Sequence, residues 1–579
     1  MSEAAALFGS QPPLRVPVGA DAHRWSTFQS ERTLVVAART VTSTVRVLET
    51  LPSLLRGDGR VTVVFAHDPT SAFNAGVLDL LHEAGCRVMP WEQLGRTTPD
   101  LILTASENID VPEGDCPVLV LPHGIGFQKY VPDSRSSTDR LSGVVPDSLL
   151  ESGRAWLAVS HPAQEEQLLA THPKSAGHTL LVGDPCYDEL VVSRSRRNAY
   201  RDALGVAEHQ RLVMVSSTWG PTSLLGRHPD LLSRLLSQLP YDDYRVGAIV
   251  HPNVWSAHGA WQIHTSQAAA ALDAGLLLMP AVHAWRPALV AADVVIGDHG
   301  SVTLYGAASG TPVLLAAFGS DAVPGTAVHD LAAVAPRLDT RGDLLRQVED
   351  LIREHTPRRY AAVAERAFAE PGQALARLRT ALYRLLNLAE PASPPPSPLL
   401  LPVPDPPASP VTSWQVTTLV TGDSEAPTVS VRRFPAAATA HDDAHPDTST
   451  CSTHLACVDD ERDHRLAESA SVLVRRRAAS TSVGALRWIE ETLARFPGSL
   501  LAVSDVRGGC CLVGLRDGRI VEAATTGPVT DPTLPAAVVY ACLRAGRPLD
   551  DTHVTLRIGA GRDEDVALRV RPRPHRPRY

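Results

Sequence analysis

Three short stretches carry residue types that could do chemistry, and each follows a short apolar run. Leu121-Pro122-His123-Gly124-Ile125-Gly126-Phe127-Gln128-Lys129 sets a histidine directly after such a run, with two glycines that let backbone approach a ligand. An imidazole near its ordinary pKa is a natural base for a hydroxyl nucleophile. In Ile249-Val250-His251-Pro252-Asn253 the proline forces His251 out of the α region, into extended geometry. There it can donate to a phosphate oxygen and, if protonated, neutralise charge. The third stretch, residues 292–303 (ADVVIGDHGSVT), reads strand, small polar loop, helix. Amides near Gly300, beside the Ser301 and Thr303 hydroxyls, form an anion site suited to a diphosphate. Asp298 or Ser301 could also serve as a plain helix cap, which is compatible with that role.

Such loops need a scaffold whose strands end in one place. Short apolar runs at 34–38, 61–66, 87–89, 101–104 and 118–121 alternate with amphipathic stretches, one following residue 45 and one over 72–84. Runs buried on both faces and joined by helices predict a parallel sheet with right-handed crossovers. The pattern then restarts, with runs at 212–216, 245–250, 275–279, 294–296 and 313–315, and an arginine-rich helical stretch over 344–388 closes the unit. The expectation is an α/β chain of two Rossmann-like halves (GT-B-like), residues 1–190 and 191–390, with a nucleotide-linked ligand between them. A single long doubly wound sheet is the competing arrangement.

The order of the loops is also informative. His123-Gly124, Gly183-Asp184-Pro185-Cys186-Tyr187-Asp188, Ser217-Thr218-Trp219, His251-Pro252 and Asp298-His299-Gly300-Ser301 resemble, in sequence, the loops of the CDP-glycerol glycerophosphotransferase family. These are GT-B-like enzymes of teichoic acid and capsule synthesis, and the resemblance spans about residues 30–385. It implies a transferase that moves a glycerophosphate-type group from a CDP-linked donor to a hydroxyl acceptor, such as a lipid-linked polymer at a membrane face. The first half would face the acceptor and the second the donor, with no cofactor and no metal. His123 matches the base; His251 and Ser301 match groups holding the donor diphosphate, and Thr218 faces the donor. Gly300 and Thr303 join that set, and Gly124, Lys129 and Asp298 are accessory candidates. The sequence departs from the family at several points. Leu121-Pro122 precede His-Gly, Lys129 sits one position late, Gly220 stands where an arginine follows Thr-Trp, Gly300 replaces a serine, and Tyr305 replaces an acidic residue. Those departures motivate two alternatives: an NDP-sugar glycosyltransferase or nucleotide-sugar epimerase, and a non-catalytic GT-B-like scaffold.

Composition excludes several classes. The 579 residues carry a formal net charge of −9, which argues against a nucleic-acid partner. Lysine occurs only at Lys129 and Lys174, a bias of high-GC, actinobacterial codon usage. No apolar run approaches the roughly 20 residues of a membrane span, and the N-terminus lacks a secretory signal, so a cytoplasmic protein is expected, peripheral at the inner membrane face for a lipid-linked acceptor. Eight scattered cysteines make no disulfide scaffold, and Cys451-x-x-His454-x-x-Cys457 matches no standard zinc spacing. GxGxxG and Walker loops are missing, which excludes Rossmann dehydrogenases and P-loop NTPases.

Ten of the twenty residues 391–410 are proline, which predicts a stiff, extended linker over 391–412. It would hold a small α+β domain (413–579), whose function and protein partner the sequence does not reveal, apart as an independent unit. Helices are expected there at 465–477, 483–496 and 533–544. Strands are expected at 500–504, 511–515, 519–523, 553–558 and 566–570, with 436–459 disordered.

Overall fold

The computed structural model describes residues 14–16, 18, 24, 26–133, 138–405, 410–423, 427–438, 450–507, 510–527 and 531–572. The first half contains β1 (Arg32–Ala38), β2 (Val61–His67), β3 (Val88–Pro90), β4 (Leu101–Thr104), β5 (Val118–Val120), β6 (Tyr130–Pro132), β7 (Asp139–Leu141), β8 (Ala155–Val159) and β9 (Thr179–Leu181). Seven of them form one sheet in the order β3-β2-β1-β4-β5-β8-β9, while β6 and β7 pair as a separate hairpin. Leu34, Val35 and Val36 are all fully buried, as befits a strand covered on both faces. The helix Val41–Leu54 that follows β1 starts at a capping box between Thr40 and Ser43.

The second half repeats the plan with β10 (Arg211–Ser217), β11 (Tyr244–Val250), β12 (Leu277–Leu278), β13 (Val294–Gly297) and β14 (Val313–Leu315), in the order β12-β11-β10-β13-β14. The arginine-rich stretch is three helices, Leu344–Glu354, Ala361–Ala367 and Ala374–Leu385, because Pro357 and Pro371 interrupt it. The last of them returns to the first half, where Leu375, Leu378 and Leu382 share a core with Leu34, Val36 and Leu103. Two separate parallel sheets and a return helix make the architecture GT-B-like, and the single-sheet arrangement does not occur.

The C-terminal part is a closed barrel of nine strands: β15 (Ser413–Thr421), β16 (Thr428–Pro435), β17 (Cys451–Val458), β18 (Val472–Val474), β19 (Leu501–Val506), β20 (Cys510–Leu515), β21 (Ile520–Thr525), β22 (Thr552–Ile558) and β23 (Arg562–Arg571). It closes around the helix Thr533–Arg544, whose residues 533–542 are all buried. Alternate residues of β15, Trp414, Val416, Thr418 and Val420, point into that core.

Two expectations for this part fail. The segment expected to be disordered contains β17, which pairs with β15 and buries Ser452, His454 and Ala456 on alternate positions; residues 439–449 lie outside the described residues. The helix expected over 465–477 stops at Ser469, and Val472–Val474 becomes a buried strand between β17 and β19, too short and too apolar for a helical face. Cys451 and Cys457 have one parity on β17 and His454 the other, so the three cannot converge on an ion.

The described residues of the linker are not free of the folded part. Leu401 is buried in the second-half core, where its N–H donates to Ser193 Oγ (2.9 Å) and its carbonyl accepts from Tyr200 OH (2.8 Å). Arg379 of the return helix donates to the Pro394 carbonyl (3.0 Å). The barrel also packs directly on the second half. Arg433 of β16 is buried against Asp242, with Nε and Nη2 at 3.0 and 2.6 Å from its carboxylate, and Nη1 bonds Asp531 and Thr533. The expectation of a domain held apart is therefore corrected: a half-proline chain leaves its carbonyls unpaired, and these accept bonds that strap it down.

Candidate functional site

The carboxyl ends of both sheets face one another across a cavity of about 480 Å³. His123, Gly124, Lys129, Thr218, His251, Gly300 and Ser301 all line it, so the structure brings seven of the nine sequence candidates together.

His123 follows β5 and is exposed toward the cavity. Its loop is fixed from beneath by Arg46, a buried side chain of helix Val41–Leu54 whose Nε donates to the Pro122 carbonyl (3.1 Å) and Nη2 to the Gly124 carbonyl (3.3 Å). Arg46 also pairs with Asp184 (3.3 Å), and Tyr305 OH from the second half donates to the same carboxylate (2.6 Å). Asp184 is itself an N-cap, accepting from Tyr187 N–H (3.0 Å) ahead of Pro185. Tyr305 thus joins the halves at a buried ion pair. At the tip of the loop, Ile125 N–H donates to Ser301 Oγ (3.4 Å), and a Cβ on Gly124 would come within 2.6 Å of that oxygen. Only glycine permits this approach.

Behind His123 lies Glu107, buried and paired with Arg140 (2.8 Å). Burial raises its pKa, but neighbouring His123 and Arg140 outweigh that and hold the carboxyl below its usual range. The first-half wall also presents Arg39, braced by Asp68 (3.1 Å), and Lys129, braced by Asp321 (3.2 Å). Phe73 of the first half and Trp219 of the second meet at 5.5 Å between ring centroids, with Lys129 Nζ 5.0 Å above the indole.

The second-half wall is built on Asp298. This fully buried carboxylate accepts three backbone N–H bonds, from Thr218 (2.9 Å), Leu224 (2.8 Å) and Gly300 (2.9 Å). It ties the loop after β10 to the loop after β13 and has no surface in the cavity, so its expected accessory role is corrected to a scaffold one. Thr303 is corrected as well. It is fully buried within the first turn of the helix Ser301–Ala308, packed against Gly297, and does not line the cavity. Helical periodicity places residue 303 toward the sheet when residue 301 faces the cleft.

His251 caps the helix Pro252–Gln262, its Nδ1 accepting from Asn253 N–H (3.1 Å). The neutral ring therefore carries its proton on Nε2. Burial, with His123 and Lys129 nearby, pushes its pKa down to about 3. The charge neutralisation expected of a protonated His251 does not apply at neutral pH; it is a neutral donor.

Sequence reasoning missed Arg39, Arg46, Glu107, Arg140 and Asp321. Arg46 and Arg140 sit among residues with no motif of their own. Asp184 had a signal, since Asp before Pro reads as an N-cap. Among the described residues no group of three His, Cys, Asp or Glu could hold a metal, and no helix is long and apolar enough to cross a membrane.

No protein-family model and no curated protein matches this chain. Solved structures do. The wall teichoic acid polymerase TagF is 10% identical, with a TM-score of 0.41 over 62% of this chain and 90% of that one. A glycosyltransferase from Rickettsia africae is 11% identical, with a TM-score of 0.37 over 62% and 100% of the two chains. The S. aureus MnaA structure with UDP is 12% identical, with a TM-score of 0.37 over 62% and 99%.

Proposed function

We propose that the chain is a transferase that takes a nucleotide-diphosphate donor and a hydroxyl acceptor, and that the group moved is a polyol phosphate from a CDP-linked donor. One observation carries the reading: a single cavity between the halves holds an exposed histidine on one wall and uncharged donors on the other. His251 Nε2, Ser301 Oγ, Thr218 and the amides at Gly300 would hold the diphosphate, with Arg39 and Lys129 supplying charge across the cleft. The acceptor hydroxyl oxygen would attack the phosphorus bearing the polyol while His123 takes its proton. The bond to the nucleoside monophosphate then breaks and that nucleotide leaves. Positioning and charge stabilisation supply most of the rate in such a transfer.

The test is a thermal-shift panel of CDP, UDP, GDP and ADP with their glycerol, ribitol and sugar conjugates, followed by turnover assays. The largest shift with CDP-glycerol or CDP-ribitol supports the reading. Preference for a UDP-sugar replaces the donor with that of a glycosyltransferase or epimerase, and no shift with any member favours the scaffold.

A further inference from the structure

Asp321 lies six residues after β14 and ties together two loops that the reading above gives to different substrates. Its Oδ2 accepts from Lys129 Nζ (3.2 Å), at the end of the His123 loop, and from His299 Nε2 (3.1 Å), in the Gly300 loop. The tautomer of His299 is set from its other side, where Nδ1 accepts Gly319 N–H (3.1 Å). Lys129 also donates to the Trp219 carbonyl (3.3 Å), so the loop after β10 joins the same knot. Backbone bonds reinforce it. Tyr130 N–H donates to the Asp321 carbonyl (2.7 Å), Val323 N–H donates to the Gln128 carbonyl (3.0 Å), and Lys129 and Ala322 form an antiparallel bridge. A Cβ on Gly319 would come within 1.9 Å of Asp321 Oδ1, so residue 319 has no room for a side chain. Burial raises the Asp321 pKa, but His299 and Lys129 hold it well below the usual carboxylate range.

The His123 loop is thus held at both ends by the second half, through Ser301 on Ile125 and through Asp321 on Lys129 and Tyr130. A loop spanning a cleft takes up one geometry only when both anchors are engaged. We infer that Asp321 is a positioning residue that places His123 only when the donor loop is in register, so that base and donor assemble together. This rests on His123 being the base. Misplacing a reacting group by about 1 Å is enough to cost on the order of 100-fold in rate.

The experiment uses the full chain with D321N, K129M, the double variant and D321E, each checked for a cooperative melt. Hydrogen exchange across residues 123–131 is followed without nucleotide. Turnover, and affinity for the nucleotide conjugate chosen by the panel, are then measured. The expected result is faster exchange in D321N, kcat down 10- to 100-fold, and donor Kd within threefold of wild type. K129M should lose a similar factor, the double variant little more than either alone, and D321E should recover part of the loss. Unchanged exchange overturns the inference. So does a kcat of D321N within threefold of wild type, or a D321N donor affinity that falls in step with its kcat; K129M also removes a charge facing the donor, so its donor affinity is not part of the test. A wild-type chain that binds no nucleotide overturns the functional reading instead, and the exchange measurement still decides whether Asp321 holds the loop.

Discussion

The second sheet has a different kind of polar chemistry at each end. At its carboxyl end, His251, Thr218, Gly300 and Ser301 border a cavity, and the Nε2 side of His251 is uncommitted. At its amino end the barrel closes over Tyr241, Asp242 and Asp243, and Arg433 has Nε, Nη1 and Nη2 all engaged while lying against the Tyr241 and Trp414 rings. Ala560 N–H of the barrel donates to Asp243 Oδ1 (3.1 Å) in the same seam. Strands of seven residues, about 23 Å at 3.3 Å per residue, separate the two ends. The chain keeps open donors where a ligand enters and engages every nitrogen of the Arg433 guanidinium where two bodies join. Chemistry and stability should therefore respond to different substitutions.

The strongest test of that separation is His123→Ala. The side chain is exposed, so its loss should leave the melting temperature within a degree or two. A base contributes about 10²- to 10⁴-fold to such a step, and kcat should fall by that factor while calorimetry shows donor binding nearly unchanged. Donor affinity lost together with turnover would move His123 from base to binding residue.

Arg433→Met should do the reverse. It leaves Asp242 and Asp531 without their shared cation in a buried seam, which costs about 3–5 kcal/mol by urea unfolding. Turnover of the folded fraction, measured well below the melting point, should stay within twofold, because no residue of the seam lines the cavity. Asp242→Asn is the milder companion. If kcat falls in parallel with stability in both variants, the barrel communicates with the site and the two ends are not independent.

These contrasts were unequally legible in the sequence. The second parallel sheet and five of the seven strands of the first could be read, since short runs such as Val313–Leu315 and Leu101–Thr104 are buried on both faces and stand alone between helices; β8 and β9 were not expected. The site loops could be read because each follows such a run. The scaffold beneath them could not. Arg46 reaches the His123 loop from 76 residues away and Asp321 reaches Lys129 across the cleft, contacts that no local pattern encodes. The barrel was read only in its second portion. β15 and β16 alternate cleanly through Val416, Val420, Val429 and Val431, but they follow the proline segment and were passed over. In β17 the inward residues include Ser452 and His454, so polarity imitated a loop.

Two histidines carry the comparison to pH. Burial pushes His454, inside the barrel against Tyr540, down to about 3, and His251 in the cleft reaches the same value with help from His123 and Lys129. Each has an ordinary pKa near 6.5 when unfolded. A base whose folded pKa is depressed gives its full stability above 6.5 and loses it as pH falls toward the folded value. Each therefore removes up to about 1.4 kcal/mol of stability for every pH unit the solution falls below 6.5, down to the folded value. His454→Phe should remove one such slope and raise stability at pH 5, since neither ring nitrogen has a partner. It should not touch donor affinity. Donor affinity of the wild type, in turn, should show no rise from His251 as pH drops through 6.5; such a rise would make His251 a cation in the complex and blur the contrast between its neutral wall and the charged one opposite.

The smallest effect is expected from Thr303→Val, and it tests where the site ends. Valine keeps the branched shape and replaces one hydroxyl by a methyl. In the structure Thr303 Oγ1 is buried, has no hydrogen-bond partner and faces Gly297 rather than the cleft. Removing an unpaired buried hydroxyl relieves a desolvation cost, so stability should hold or rise by less than about 1 kcal/mol. A hydroxyl on a phosphate oxygen behaves otherwise. Its loss would cost about 1.5–3 kcal/mol, or roughly 10- to 100-fold in donor affinity. Calorimetric titration with the preferred nucleotide conjugate separates the two outcomes. Affinity within twofold confines the diphosphate to Ser301 and the amides before it. A tenfold loss would mean that the helix start rotates on binding, and that the open end of the sheet is less preformed than its closed one.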